Sequence, residues 1–217
     1  MRSGYRDLVI TTLLITPSGA LSPGPLSASA VAVGASMGIV GGFLVALGHM
    51  SFELPYVILL YKFSSGVKEI LARYRVFLNI VVIIFLLLFS YLLIRDALSI
   101  LSNQGSGMAQ AIVASPLTAF ATGFVLTGFN AYFLLWWLTI GYVLVEKTTR
   151  LGARGFAAMY TSHVWMDYAW LMLLAAGGEA TRILGREPYA TLLIALAIIL
   201  IYFASRLIAT LLPRRIS

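Results

Sequence analysis

Residues 38–60 read GIVGGFLVALGHMSFELPYVILL, and residues 152–174 read GARGFAAMYTSHVWMDYAWLMLL. A shift of 114 positions lays one on the other: Gly38 meets Gly152, Gly41 meets Gly155, His49 meets His163, Glu53 meets Asp167, Tyr56 meets Trp170, and Leu59-Leu60 meet Leu173-Leu174. Glycine and leucine matches mean little in apolar sequence. His49 and His163, however, are the only 2 histidines in the chain, and each has an acid four positions later. Ionisable groups inside long apolar runs are costly to insert and by default functional. The matching pair therefore divides the chain into two related halves, each built around an apolar helix with a His/acid pair at its centre.

Composition identifies the solvent of these helices. Hydrophobic residues make up 60% and charged residues 11%, with mean hydropathy +0.95, against roughly 25% charge in soluble domains. The chain reads as an all-α integral membrane protein forming a single transmembrane domain over 1–217, since no Pro/Gly/Ser linker divides it. There are 0 cysteines, which excludes disulfides, thiol catalysis and cysteine metal sites.

A span needs about 20 apolar residues to cross about 30 Å of hydrocarbon. Six segments reach that length, near 8–35, 37–61, 76–95, 116–145, 153–177 and 188–211. The first two are divided only at Gly34 to Gly38, and that cut decides parity. Arg2 and Arg6 ahead of Leu8 to Ile15, with Ser18-Gly19-Ala20 beyond, imitate a signal peptide. The apolar stretch resumes at Leu21, so the segment is read as the first span. Asn79 and Arg95 fall at the ends of the third span, where snorkelling to the headgroups accounts for them.

With six spans, one side of the membrane receives Arg2, Arg6, Lys62, Lys68, Arg73, Arg75, Lys147, Arg150, Arg154, Arg206, Arg214 and Arg215, and the other only Arg95, Arg182 and Arg186. The positive-inside rule then predicts that both termini are cytoplasmic in a multi-pass protein of the cytoplasmic membrane. Anionic headgroups also account for the net charge of +7, without nucleic acid as a partner. Three spans per half make the halves enter from opposite faces. The expected architecture is two inverted three-helix repeats, at about 5–95 and 116–211, an arrangement that many secondary transporters use for alternating access.

The first span of each half is expected to be discontinuous. Ser22-Pro23-Gly24-Pro25 places two prolines mid-span, where the missing N–H and the ring free backbone groups. The matching point is Thr127-Gly128-Phe129-Asn130, off the 114 register by six, which predicts that the loop between the fourth and fifth spans is longer than that between the first and second. In lipid, irregular backbone survives only where it is buried or lines a cavity. Half-helix N-termini after Pro23 and Asn130 would offer amides and a positive dipole end to a substrate carboxylate.

Ser22-Pro23-Gly24-Pro25 before a glycine-rich second helix, and Gly123-Phe124-x-x-Thr127-x-x-Asn130 running into Trp136-Trp137, resemble the lysine exporter (LysE-type) family of amino-acid translocators along the whole chain. The second motif departs from the family's Asn-Pro, carrying Asn130-Ala131. The resemblance implies export of small solutes such as amino acids, driven by an ion gradient, commonly protons, often as a homodimer. The wider superfamily includes exporters of divalent metals.

Within each pair the side chains lie on one helix face about 6 Å apart. Three readings are open for His49, Glu53, His163 and Asp167. They can relay a proton or hold a substrate ammonium, because imidazole titrates near neutrality. They can join helices by hydrogen bonds. Or they can converge as ligands on a divalent cation such as zinc, manganese or nickel, although no third histidine or His-rich tract accompanies them. Since the two helices run antiparallel, Glu53 should lie cytoplasmic of His49 and Asp167 outward of His163, so that the pairs face opposite exits. Trp165 and Trp170, near His163 and Asp167, are candidates for the cavity wall, and Trp136 and Trp137 for interface anchors. Gly34, Gly38 and Gly42 form small-xxx-small spacings for close packing. No nucleotide loop, nucleophile elbow or HExxH motif is present, so the chain is read as a transporter rather than an enzyme, with no cofactor.

Overall fold

The computed structural model describes residues 2–22, 24–102 and 115–211. Every regular element among them is helical: α1 Arg2–Ile15, α2 Pro17–Ala20, α3 Pro25–Leu101, α4 Pro116–Gly128, α5 Ala131–Leu138, α6 Tyr142–Thr149, α7 Gly152–Leu184 and α8 Arg186–Leu211. Where α3 runs on for 77 residues, its backbone leaves helical geometry at Gly38 (φ 61°, ψ −153°) and Phe63 (φ −131°, ψ 36°). Gly38 has a left-handed φ that only glycine adopts readily. A break in helical geometry therefore falls at the weakest of the sequence-based cuts, while Pro25–Phe63 runs across it as one apolar stretch.

Both expected interruptions are present. The first lies between α2 and α3, where Ser22 is non-helical and Gly24 is an extended N-cap ahead of Pro25; Pro23 lies outside the described residues. The second separates α4 from α5 at Phe129 and Asn130. Proline in the first helical turn starts α2, α3 and α4, because its missing N–H would have no intrahelical acceptor there anyway. The extra residues expected in the loop between the fourth and fifth spans lie elsewhere. A second bend at Thr139 to Gly141 makes the separate helix α6, and only Arg150 and Leu151 then separate α6 from α7.

Among the described residues three stretches, Pro25–Phe63, Asn79–Leu101 and Arg186–Ala209, are long and apolar enough to cross a membrane, and the pair Pro116–Gly128 and Tyr132–Thr149, bent by 56°, makes a fourth. This differs from the six expected spans for a physical reason. The first segment is cut into α1, α2 and the start of α3, while α7 carries Arg154, His163, Asp167, Glu179 and Arg182 along its length. The third apolar stretch also extends past the charge-based cut at residue 95, so that Asp96 is buried. Asn79 is likewise buried rather than reaching for headgroups, because its helix begins well before residue 76.

Lipid tails are as apolar as leucine, so helices in a bilayer associate through close packing rather than through the hydrophobic effect. The α3 and α4 crossing illustrates this. A Cβ on Gly48 would strike the Phe120 carbonyl oxygen, and one on Gly123 the Val45 carbonyl oxygen, so the backbones touch at two reciprocal points. Around them Val45, Ala46, Ala119 and Leu171 form an apolar cluster. Gly34 and Gly42 serve the same purpose against Ala175 and Leu171 of α7. Gly123→Val should therefore overpack this crossing by about 1–3 kcal/mol or more. Gly177→Ala, with nothing within 4 Å of its Cβ position, should be neutral or slightly stabilising. Thermal unfolding in detergent compares the two, and equal midpoints would refute the contact.

Candidate functional site

His49 and Glu53 project from the part of α3 that follows Gly38, His163 and Asp167 from the middle of α7, and the two faces meet. His163 Nε2 lies 3.2 Å from Glu53 Oε1 and 3.3 Å from Asp167 Oδ2. His49 Nε2 lies 3.6 Å from Glu53 Oε1 and 4.0 Å from Asp167 Oδ2. None of the four is more than 6% exposed. The pairs thus form one cluster, which corrects the expectation that they face opposite exits. Four residues along a helix rise only about 6 Å, so two antiparallel helices crossing at their centres bring each acid level with the other helix's histidine.

The surroundings of the two carboxylates differ. Glu53 is enclosed: Trp137 Nε1–H donates to Oε1 at 2.9 Å and the Tyr160 hydroxyl to Oε2 at 3.2 Å, while His163 approaches Oε1. Asp167 Oδ2 and His49 Nε2, in contrast, have no hydrogen-bond partner among the described residues. The 114 shift explains the asymmetry, since Tyr160 corresponds to Ala46, which has no donor to offer. Behind the imidazoles, His163 Nδ1 lies 2.9 Å from Thr16 Oγ1 and His49 Nδ1 2.8 Å from Thr127 Oγ1. Trp136 stacks on the His163 ring with centroids 5.7 Å apart, and Trp137 meets its edge.

The cluster opens onto a cavity of about 290 Å³ whose wall includes both helix breaks, through Ser22, Gly24, Ser27 and Asn130. A volume near 300 Å³ is at the small end of ligand pockets. A Cβ placed on Gly24 would lie 3.9 Å from Asn130 Nδ2, so the breaks sit side by side. Their helix ends differ in availability. Asn130 caps α5 itself, its Oδ1 accepting the Phe133 N–H at 3.3 Å. The α3 N-terminus has no side-chain cap, so the Leu26 and Ser27 amides point beyond the helix without an intrahelical acceptor. Arg206 of α8 lines the same cavity.

The tryptophans at the cavity are not the ones expected there. Trp136 and Trp137, read as interface anchors, are buried against the cluster and line the cavity. Trp165 and Trp170 are not among the lining residues. Trp165, two residues from His163 on a helix of 3.6 residues per turn, points to the opposite side and is 52% exposed; Trp170 lies nearly a turn beyond Asp167. Reasoning from sequence also missed Thr16, Tyr160 and Arg206. Thr127 stood within the quoted motif but was read only as part of the helix break. Arg206 was counted solely as a cytoplasmic charge.

His49, Glu53 and Asp167 each place a ligand atom within 4.8 Å of the other two, so the same cluster has the donor chemistry to receive a cation, whether an ammonium group or a divalent metal ion as cargo. No curated protein and no solved structure matches the chain. The family model described as LysE type translocator matches residues 17–210, a range that contains both helix breaks, the two His/acid pairs and Arg206. A multi-pass helical protein with paired ionisable residues at the heart of its bundle is the architecture of a small-solute transporter, and this chain belongs to the LysE type translocator family.

Proposed function

We propose that the chain is a proton-coupled secondary exporter of amino acids or related small zwitterions, with six spans arranged as two inverted repeats, in the cytoplasmic membrane with both termini cytoplasmic. The observation that carries the reading is the convergence of four buried ionisable side chains on a cavity walled by two helix breaks. Membrane-embedded broken helices that meet titratable groups are how secondary transporters hold substrate and coupling ion at midplane. The repeat draws support from reciprocal contacts: Thr16 of the first half meets His163 of the second, and Thr127 of the second meets His49 of the first.

The asymmetry of the acids divides their tasks. Glu53, held by Trp137, Tyr160 and His163, is the proton-handling carboxylate. Asp167, whose Oδ2 accepts no hydrogen bond among the described residues, receives the substrate ammonium together with the cavity-facing edge of His49. The substrate carboxylate then meets the uncapped amides of Leu26 and Ser27, where the helix dipole favours an anion, with Arg206 on the same wall. A homodimer is the assembly proposed for the membrane.

Counterflow in proteoliposomes tests the reading, with a panel of labelled amino acids and with manganese, zinc and cadmium, with and without a pH gradient. Amino-acid flux that responds to the gradient is expected. Metal flux alone would turn the four side chains into ligands for a transported divalent cation and overturn the amino-acid reading. Against that alternative, both Glu53 oxygens already accept N–H or O–H donors that a metal ion would have to displace or share.

A further inference from the structure

The threonine contacts behind the histidines determine where each imidazole carries its hydrogen. The Thr16 hydroxyl lies 2.7 Å from the Thr12 carbonyl oxygen and 2.9 Å from His163 Nδ1. The Thr127 hydroxyl lies 2.6 Å from the Gly123 carbonyl oxygen and 2.8 Å from His49 Nδ1. A hydroxyl has one hydrogen to give. If it went to Nδ1, the hydroxyl oxygen would face a carbonyl oxygen at hydrogen-bond distance with no hydrogen between them. If instead it goes to the carbonyl one turn back, the hydroxyl oxygen accepts from Nδ1–H and both contacts are attractive. The same solution occurs twice, once behind each of the two histidines that the 114 shift relates.

We propose that Thr16 and Thr127 are positioning residues that hold His163 and His49 as Nδ1–H imidazoles, each half of the chain fixing the histidine of the other so that both Nε2 atoms face the carboxylates. Nδ1 keeps its hydrogen whether the ring is neutral or charged, and the exchangeable proton is confined to the Nε2 side. There His163 faces Glu53 and its own helix's Asp167, His49 faces its own helix's Glu53 and Asp167, Tyr160 stands behind Glu53, and Arg206 lines the cavity. The 3.2 Å approach of His163 Nε2 to Glu53 Oε1 then requires one shared proton between them. Both threonines lie ahead of a break, Thr16 at the junction of α1 and α2 before Ser22 and Thr127 within α4 before Asn130. Movement of either segment withdraws the acceptor from the opposite half's histidine, which links helix rearrangement to proton placement. This inference deepens the proton-coupled reading and rests on it for that last link, but the tautomer itself does not.

The presence of only 2 histidines makes the test direct: ¹⁵N-histidine solid-state NMR of the reconstituted full chain yields two rings to assign. Both rings are expected to show a protonated Nδ1 at every pH examined. A neutral ring with bare Nδ1 and protonated Nε2 in the wild-type protein would overturn the proposal. Thr127→Val should release His49 alone to the Nε2–H form and lower flux by about tenfold or more, as loss of a tautomer-fixing partner does, whereas Thr127→Ser should keep the wild-type spectrum and restore flux. An unchanged His49 spectrum in Thr127→Val would also refute the assignment. Wild-type Nδ1–H rings in a protein whose flux ignores the pH gradient would uphold the threonine assignment and remove the proton-coupled reading instead.

Discussion

Asp167→Asn is expected to reduce amino-acid flux at least 100-fold, while Glu53→Gln is expected to keep substrate exchange and lose its dependence on the pH gradient. The division follows from what each oxygen touches. Asp167 Oδ2 makes no hydrogen bond among the described residues and meets the histidines only as charge neighbours, His163 Nε2 at 3.3 Å and His49 Nε2 at 4.0 Å, so an isosteric amide breaks no internal hydrogen bond and the protein should remain folded. What the amide cannot do is neutralise a substrate ammonium in a desolvated site. Breaking a buried ion pair by removing one partner costs about 3–5 kcal/mol, and each 1.4 kcal/mol is a factor of ten. In Glu53→Gln, by contrast, the amide oxygen can still accept from Trp137 and the amide N–H₂ can donate to the Tyr160 oxygen. The proton shared with His163 is the contact that goes. Counterflow at equal pH and uphill flux under a gradient separate the two variants. Loss of exchange in Glu53→Gln with full exchange in Asp167→Asn would reverse the assignment.

How much of this was legible in the sequence varies by element. The His/acid pairs could be read because ionisable residues are rare in an apolar chain and their 114 spacing repeats; Gly38 and the Ser22 to Pro25 break could be read because glycine and proline act through the local backbone. That the pairs merge into one cluster was not legible, since it depends on where two helices cross, and the Gly48 and Gly123 contact that sets the α3 and α4 crossing nearby is indistinguishable in sequence from any other glycine pair in a membrane helix. Trp136 and Trp137 were assigned to the interface because tryptophan is enriched there. The bends at Asn130 and Thr139 turn their short helix inward, and Trp137 ends fully buried with its N–H on Glu53. Thr16 and Thr127 carry no sequence signal beyond that of ordinary helix threonines, whose hydroxyls bond back one turn. Only the imidazoles placed against them distinguish these two. A charge such as Arg95 reads as a span boundary in sequence, whereas the third apolar stretch continues to Leu101 and buries Asp96 beyond it.

Arg206→Gln is expected to raise the apparent KM for an amino-acid substrate by about 10- to 100-fold and to leave maximal exchange nearly unchanged. The cavity already holds two carboxylates, Glu53 and Asp167, against two histidines. Admitting a zwitterion adds a third carboxylate to a desolvated space. The α3 amides offer partial positive charge, equivalent to about half a unit at a helix end, which is less than a full carboxylate requires. Among the described residues Arg206 is the one arginine or lysine on the cavity wall, and its planar guanidinium matches a carboxylate with paired N–H donors. A hydrogen bond between charged groups contributes about 1.5–3 kcal/mol, which at 1.4 kcal/mol per decade gives the stated range. The carboxylate reading makes a sharper demand than loss of affinity alone. If Arg206 serves the substrate carboxylate, a decarboxylated amine of the same side chain should compete equally with wild type and Arg206→Gln, because it never engages that residue. If Arg206 acts only as a cytoplasmic anchor for α8, both compounds should be affected alike through a misplaced helix. Competition assays with the acid and the amine on both proteins therefore distinguish a substrate contact from a membrane anchor, and an equal loss for both compounds would remove Arg206 from the site.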